Sequence, residues 1–207
     1  MDISTILYFT AVSALLTLAP GPDILFVAAQ SVSHGKKAGL ATALGLCSGL
    51  TVHTLAAALG ISAILHQSTL AFQAIKYAGI CYLLFLAWQA LREGKQAPTA
   101  GTVKRQTLGQ LYRRGIFMNV LNPKVSLFFL AFLPQFVSPQ AGNAPLQMIF
   151  LGILFMVQAV CIFFLVALLS GSVGKKLWEK PRVARYVGLA KALLFVLIGL
   201  RLALGDD

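Results

Sequence analysis

Two ionisable side chains of opposite charge sit where long apolar runs of this chain are interrupted by proline. Asp23 closes the segment Ala19-Pro20-Gly21-Pro22-Asp23, and Lys124 follows Asn119-Val120-Leu121-Asn122-Pro123. Proline removes an amide donor and clashes with the preceding turn, so each segment is expected to kink or break a helix. In hydrocarbon, freed carbonyls are tolerated only inside protein or beside a water-filled cavity. An unpaired charge at the bilayer centre costs about 3 kcal/mol on insertion scales. An ion pair between Asp23 and Lys124, a wet cavity or a bound substrate would each offset that cost. Simpler roles compete. Asp23 and Asn122 are good capping residues for the half-helices that follow them, and Lys124 could snorkel. Lys124 is the odder of the two, because a cation is disfavoured in the first turn of a helix.

The elements that must hold these residues are apolar helices. The chain has 207 residues, 58% hydrophobic and 11% charged, with mean hydropathy +0.81. A soluble domain carries about 25% charged residues, so the bilayer is the expected solvent. Apolar stretches run over about 3–33, 38–65, 70–91, 115–137, 145–170 and 187–204, each long enough to cross about 30 Å of hydrocarbon. Period-two alternation is absent, which argues against a barrel. The amino terminus lacks a basic region and a cleavage site, so the first stretch is read as a retained span rather than a signal peptide.

The basic residues set the orientation. Lys36 and Lys37 follow the first stretch, Arg92, Lys95, Lys104, Arg105, Arg113 and Arg114 the third, and Lys175, Lys176, Lys180, Arg182 and Arg185 the fifth. The alternate connections, around 66–69 and 138–144, contain no Lys or Arg. The positive-inside rule then places the first set in the cytoplasm and both termini outside it. Lys76 and Arg201 dissent, and snorkelling from span ends would accommodate them. The net charge of +11 is accounted for by these loops and anionic lipid headgroups rather than by nucleic acid.

Residues 92–114 form a basic linker between 1–91 and 115–207, each with three spans. An odd number per half inverts the second half relative to the first, as in many secondary transporters. The expected fold is therefore all-α and integral to the membrane. It has six transmembrane helices as two inverted three-helix repeats, the first helix of each broken at proline. The downstream half-helices would point their positive N-termini at the level of the breaks. Those ends and Lys124 favour a carboxylate, and Asp23 favours an ammonium group or a proton. A site offering both suits a zwitterion such as an amino acid. The expected binding residues are Pro20, Gly21, Pro22, Asp23, Asn119, Asn122, Pro123 and Lys124.

Further residues extend the pattern, including Ser33-His34-Gly35 before Lys36 and Gly39, and Gly45-Leu46-Cys47-Ser48-Gly49. Tyr77-Ala78-Gly79-Ile80-Cys81-Tyr82-Leu83, Phe128-Phe129 and Pro134-Gln135-Phe136 follow in order. With the two breaks, this arrangement resembles the LysE/RhtB superfamily of bacterial inner-membrane amino-acid exporters over nearly the whole chain. The resemblance implies efflux of amino acids or their derivatives, driven by proton antiport and often by a dimer. With Asp23 as the single buried acid, neutral substrates are favoured over basic ones.

His53 lies within the second span, where it could relay protons with Asp23 or bond a neighbouring carbonyl. Gln30 and Gln158 could line the path or join helices. Gly45 and Gly49 form a small-xxx-small face for close packing, within or between protomers. Phe128-Phe129 and Phe163-Phe164 read as packing or lipid-facing residues. Cys47, Cys81 and Cys161 are scattered singly and support neither a disulfide framework nor a metal site. No metal or cofactor is expected. A channel or permease for another small solute is the alternative within transport. An intramembrane enzyme is the alternative outside it, but the spans lack a nucleophile–base or paired-acid constellation.

Overall fold

A computed structural model describes residues 1–19, 21–61, 69–93, 106–138, 142–170 and 181–204. Pro20, residues 94–105 of the basic linker and the loop holding Lys175, Lys176 and Lys180 lie outside the described residues. The described residues are helical throughout, without strands. In order they form α1 (Ile3–Leu18), α2 (Pro22–His34), α3 (Lys36–Leu55), α4 (Thr69–Glu93), α5 (Leu108–Val120), α6 (Pro123–Leu127), α7 (Ala144–Leu169) and α8 (Pro181–Leu204). A π-helical turn, Ala56–Ile61, extends α3. A second, Phe128–Phe132, and a 3-10 turn, Leu133–Phe136, extend α6.

Lys36–Gly60, Gln73–Arg92 and Ala144–Leu169 are each long and apolar enough to cross a membrane. Two bent pairs bring the number to as many as five if each pair is one span: α1 with α2 at 57°, and α5 with the helix from Pro123 to Phe136 at 48°. Large apolar side chains such as Leu7, Leu15, Val52, Phe85, Ile153 and Leu197 are exposed around the outside, an outer surface suited to lipid tails.

Local sequence explains where the helices begin. Thr107 and Gln110 make a reciprocal capping box at the start of α5, with the Gln110 amide donating to Thr107 Oγ1 at 3.3 Å and the Thr107 amide to Gln110 Oε1 at 2.9 Å. Asn143 caps α7 by accepting the Leu146 amide at 3.1 Å. Gly35, at φ +85°, makes the turn from α2 into α3.

Helix α3 is the spine, packed against α5, α7 and α2. Its glycine face meets α5 within the protomer. A Cβ on Gly45 would run into the Tyr112 carbonyl oxygen, and one on Gly49 would lie 2.8 Å from the Asn119 side chain. Gly115 on α5 answers in kind, 2.6 Å from the Thr42 carbonyl by the same measure. The small-xxx-small face is thus an internal contact that lets two backbones touch.

Helices α4 and α8 pack antiparallel as a second unit, with Gly79 against Leu202 and Gly199 against Leu83. It joins the rest through the π turn at Phe128–Phe132, where Gly79 also meets Ala131. Lys76 on α4 is only 2% exposed. At that burial the side chain is enclosed by protein, which corrects the expectation of snorkelling. Arg201 is exposed, with its guanidinium 5.7 Å from the centroid of the Tyr8 ring.

Between α1, α6 and α7 the core is aromatic. Phe9, Phe128, Phe129, Phe132, Phe136 and Phe155 are all buried, and their rings meet at centroid distances of 5.1–6.0 Å. Phe128 and Phe129 are therefore packing residues. Tilted and edge-on rings of this kind add favourable contacts beyond the burial of area.

Candidate functional site: the meeting of two helix junctions

The α1–α2 and α5–α6 junctions meet inside the protein, and each supplies what the other lacks. Asn122 works on both sides of the meeting. Its Oδ1 accepts the Lys124 amide at 3.0 Å and so caps α6, while its Nδ2 donates to Asp23 Oδ2 at 2.9 Å. Asp23 is 6% exposed, and its other oxygen, Oδ1, has no hydrogen-bond partner. Neither oxygen accepts an amide of α2, so the helix-cap reading of Asp23 does not describe this geometry.

Lys124 begins in the first turn of α6, but its ammonium is carried across to α1. Nζ donates to the carbonyl of Leu16 at 3.1 Å and to that of Ala19 at 3.3 Å. These belong to the last turn of α1, where carbonyls lack intrahelical partners and the helix dipole is negative. The conflict expected for a cation at a helix N-terminus is resolved by the length of the lysine stem. Among the described residues, Asp23 and Lys124 do not form an ion pair. Gly21 lies beside the same ammonium, since a Cβ there would be 3.4 Å from Nζ.

The N-terminal amides of α6 are fully engaged. Pro123 has none, Lys124 donates to the Asn122 side chain, and Val125 and Ser126 donate to the Asn122 carbonyl at 3.1 and 3.0 Å. The expectation that this helix end offers free donors to an anion is therefore not met, because Asn122 has taken them.

Asn119, at 2% exposure, ends the approach to the second junction. Its carboxamide lies beside the Asp23 carboxylate, and its Oδ1 has no partner. Its backbone carbonyl accepts the Asn122 amide at 2.9 Å and bonds His53 Nε2 at 3.0 Å. A carbonyl can only accept, so this bond requires the imidazole proton on Nε2. The His53 ring also lies 5.8 Å from that of Phe129.

These groups border a small cavity lined by Leu16, Thr17, Asp23, Asn119, Lys124 and Phe163, with Leu50, Val125 and Phe155 completing its wall. It measures about 20 Å³, room for one or two waters but not for a whole amino acid. Gln158 on α7 donates to Thr17 Oγ1 at 3.0 Å and ties two helices together near this wall. Gln30 is fully buried elsewhere, with Oε1 3.1 Å from Nδ1 of His34 on its own helix. The structure thus brings together Gly21, Asp23, Asn119, Asn122 and Lys124, with His53 one bond away. Gln158 sits behind Thr17, and Gln30 stands apart from the cavity.

Thr17 and the carbonyls of Leu16 and Ala19 were not among the residues expected at the site. Thr17 had a signal in the sequence, because Ser13 and Thr17 repeat at four residues in the second half of α1, which leads to the junction and is otherwise apolar from Ala11 to Leu18. Both are buried, and the Thr17 hydroxyl donates to the Ser13 carbonyl at 2.8 Å. The carbonyls had none, since their partner lies on a helix more than a hundred residues later.

Comparison with known proteins finds relatives similar in sequence over almost the full length. The chain is 32% identical over 192 residues to a homoserine/homoserine lactone efflux protein of Salmonella typhimurium, an alignment covering 92% of each chain. It is 30% identical to a leucine efflux protein of Enterobacter sp., covering 91% of this chain and 90% of the relative. An uncharacterized membrane protein of Vibrio cholerae is 30% identical over 98% of both. No solved structure gives a significant match. The model of the LysE type translocator family matches residues 14–206. The chain, helical in its described residues, is a membrane protein and belongs to the LysE type translocator family.

Proposed function

We propose that this protein is a secondary exporter of small neutral amino acids or their derivatives, with the substrate bound between the two helix junctions. The observation that carries this reading is the cavity lined by buried Asp23 and partly buried Lys124. Ionisable groups inside a membrane protein are costly and mark solute or proton pathways. The relatives named for homoserine and leucine efflux support neutral amino acids as the solute class, and the single buried acid at the junctions agrees. In this reading the chain has six spans as two inverted three-span halves, and the distribution of Lys and Arg supports an orientation with both termini in the periplasm. The cavity is closed to a whole amino acid, so transport requires the junctions to part. Alternating access about a fixed central site is the general device for such a step. Exchange of a proton for the substrate's positive charge at Asp23 would couple export to the proton gradient, with His53 as the neighbouring group able to pass it on.

The test is transport in proteoliposomes loaded with labelled leucine and labelled homoserine, with and without an imposed proton gradient. Gradient-stimulated efflux of either, lost in Asp23→Asn, supports the proposal. Absence of efflux for both, from protein shown to be folded, removes it.

A further inference from the structure

We infer that the cavity between the junctions is a subsite for the α-ammonium group of the substrate, and that the carboxyl end is not read there. The inference rests on the export function proposed above and specifies which part of the solute is recognised.

Two residues that line the cavity each carry a buried oxygen with no hydrogen-bond partner, Asp23 Oδ1 and Asn119 Oδ1, the latter lying against Gly49 of α3. Both are acceptors, on side chains 94% and 98% buried (6% and 2% exposed). Buried polar atoms are almost always satisfied, so a pair of orphans at one cavity points to a ligand that supplies donors. A primary ammonium carries three N–H donors and no acceptor. It would make the direct contact with the Asp23 carboxylate that Lys124 does not, since the Lys124 ammonium is hydrogen-bonded to the α1 carbonyls.

Donors are scarce in the same wall. The Thr17 hydroxyl is held by the Ser13 carbonyl and the Lys124 amide by Asn122, whose own amide, behind the wall, is held by Asp23; the Asn119 carboxamide already lies beside the Asp23 carboxylate. Lys124 Nζ has one N–H left after its two bonds. A carboxylate needs several donors to be desolvated without a large cost. Size agrees with charge: about 20 Å³ suits a group as small as a water, and an ammonium is of that size. The remainder of the substrate must then lie where the walls move apart.

The test is competition against counterflow of labelled leucine or homoserine into wild-type proteoliposomes. The competitors are leucinol, which keeps the amine without a carboxyl, and N-acetyl-leucine, which keeps the carboxylate without a basic amine. Leucinol should inhibit within about threefold of leucine, and N-acetyl-leucine should be at least tenfold weaker. The inference is overturned, and the export function kept, if N-acetyl-leucine competes like leucine while leucinol does not. Absence of any counterflow overturns both. Asn119→Leu, provided its thermal unfolding stays close to wild type, should weaken leucinol and leucine inhibition to the same degree. Unchanged inhibition by both would count against the subsite.

Discussion

The ammonium of Lys124 lies 3.1 Å from the carbonyl oxygen of Leu16, a partner 108 residues earlier in the chain. A cation that begins at the positive end of one helix thus closes the negative end of another. The bond gives Lys124 a structural duty that is separable from any contact with a solute.

Lys124→Met should therefore lower stability as well as transport. It leaves two carbonyls at the end of α1 unmet, and an orphaned buried polar group costs roughly 1–3 kcal/mol. Thermal unfolding in detergent would show the loss, and Lys124→Arg, which keeps donors and charge, should recover part of it. A methionine variant as stable as wild type would contradict this account of the junction.

The carboxylate of Asp23 should behave differently. Asp23→Asn preserves shape and leaves a polar partner for Asn122, so the fold should survive. Efflux should fall by about 10–150-fold, the equivalent of losing a hydrogen bond to a charged group worth roughly 1.5–3 kcal/mol. Paired measurements of unfolding temperature and initial efflux rate separate the two effects. Wild-type rates in the variant would take the carboxylate out of the mechanism.

Gly45 offers a test of the spine. A side chain there runs into the Tyr112 carbonyl, which is backbone and cannot rotate away. Gly45→Ala should cost roughly 1–3 kcal/mol through overpacking. Gly109→Ala, at a position with nothing within 4 Å, should change stability by less than about 0.5 kcal/mol. Equal unfolding midpoints for the two variants would refute the close crossing of α3 and α5.

His53 can be divided into its two possible duties. His53→Gln retains a donor for the Asn119 carbonyl, so counterflow without a gradient should persist at near wild-type rate. Stimulation by an imposed proton gradient should disappear. If stimulation is intact, His53 is confined to holding the end of α5.

The residues that carry local rules were legible in the sequence. Pro22, Pro123 and their ionisable neighbours announced themselves because each violates what an apolar helix allows, and helix ends do fall at Leu18 and Val120. The low charge content and the length of the apolar runs mark a membrane protein in the sequence itself. What could not be read was pairing across distance. Nothing near Lys124 says that its stem will reach the Leu16 carbonyl, and nothing near Asn122 says that its amide will seek Asp23. Lys76 misled for the same reason: its burial is set by tertiary packing that no neighbouring residue announces. Gly45 and Gly49 promised a close contact without naming the partner. The partner became clear only when α5 was seen against them.

The cross-capping of α1 by Lys124 also has a bearing on how the chain is made. At a synthesis rate of about 5–20 residues per second, the 108 residues between Leu16 and Lys124 take roughly 5–20 s to emerge. Throughout that interval the last turn of α1 is without its lysine, and Asp23 is without Asn122. The nascent amino-terminal helices must wait at the translocon or at the membrane surface, with water completing the junction. A ribosome stalled before residue 122 would therefore leave a fragment whose first helix pair is open to early extraction and proteolysis.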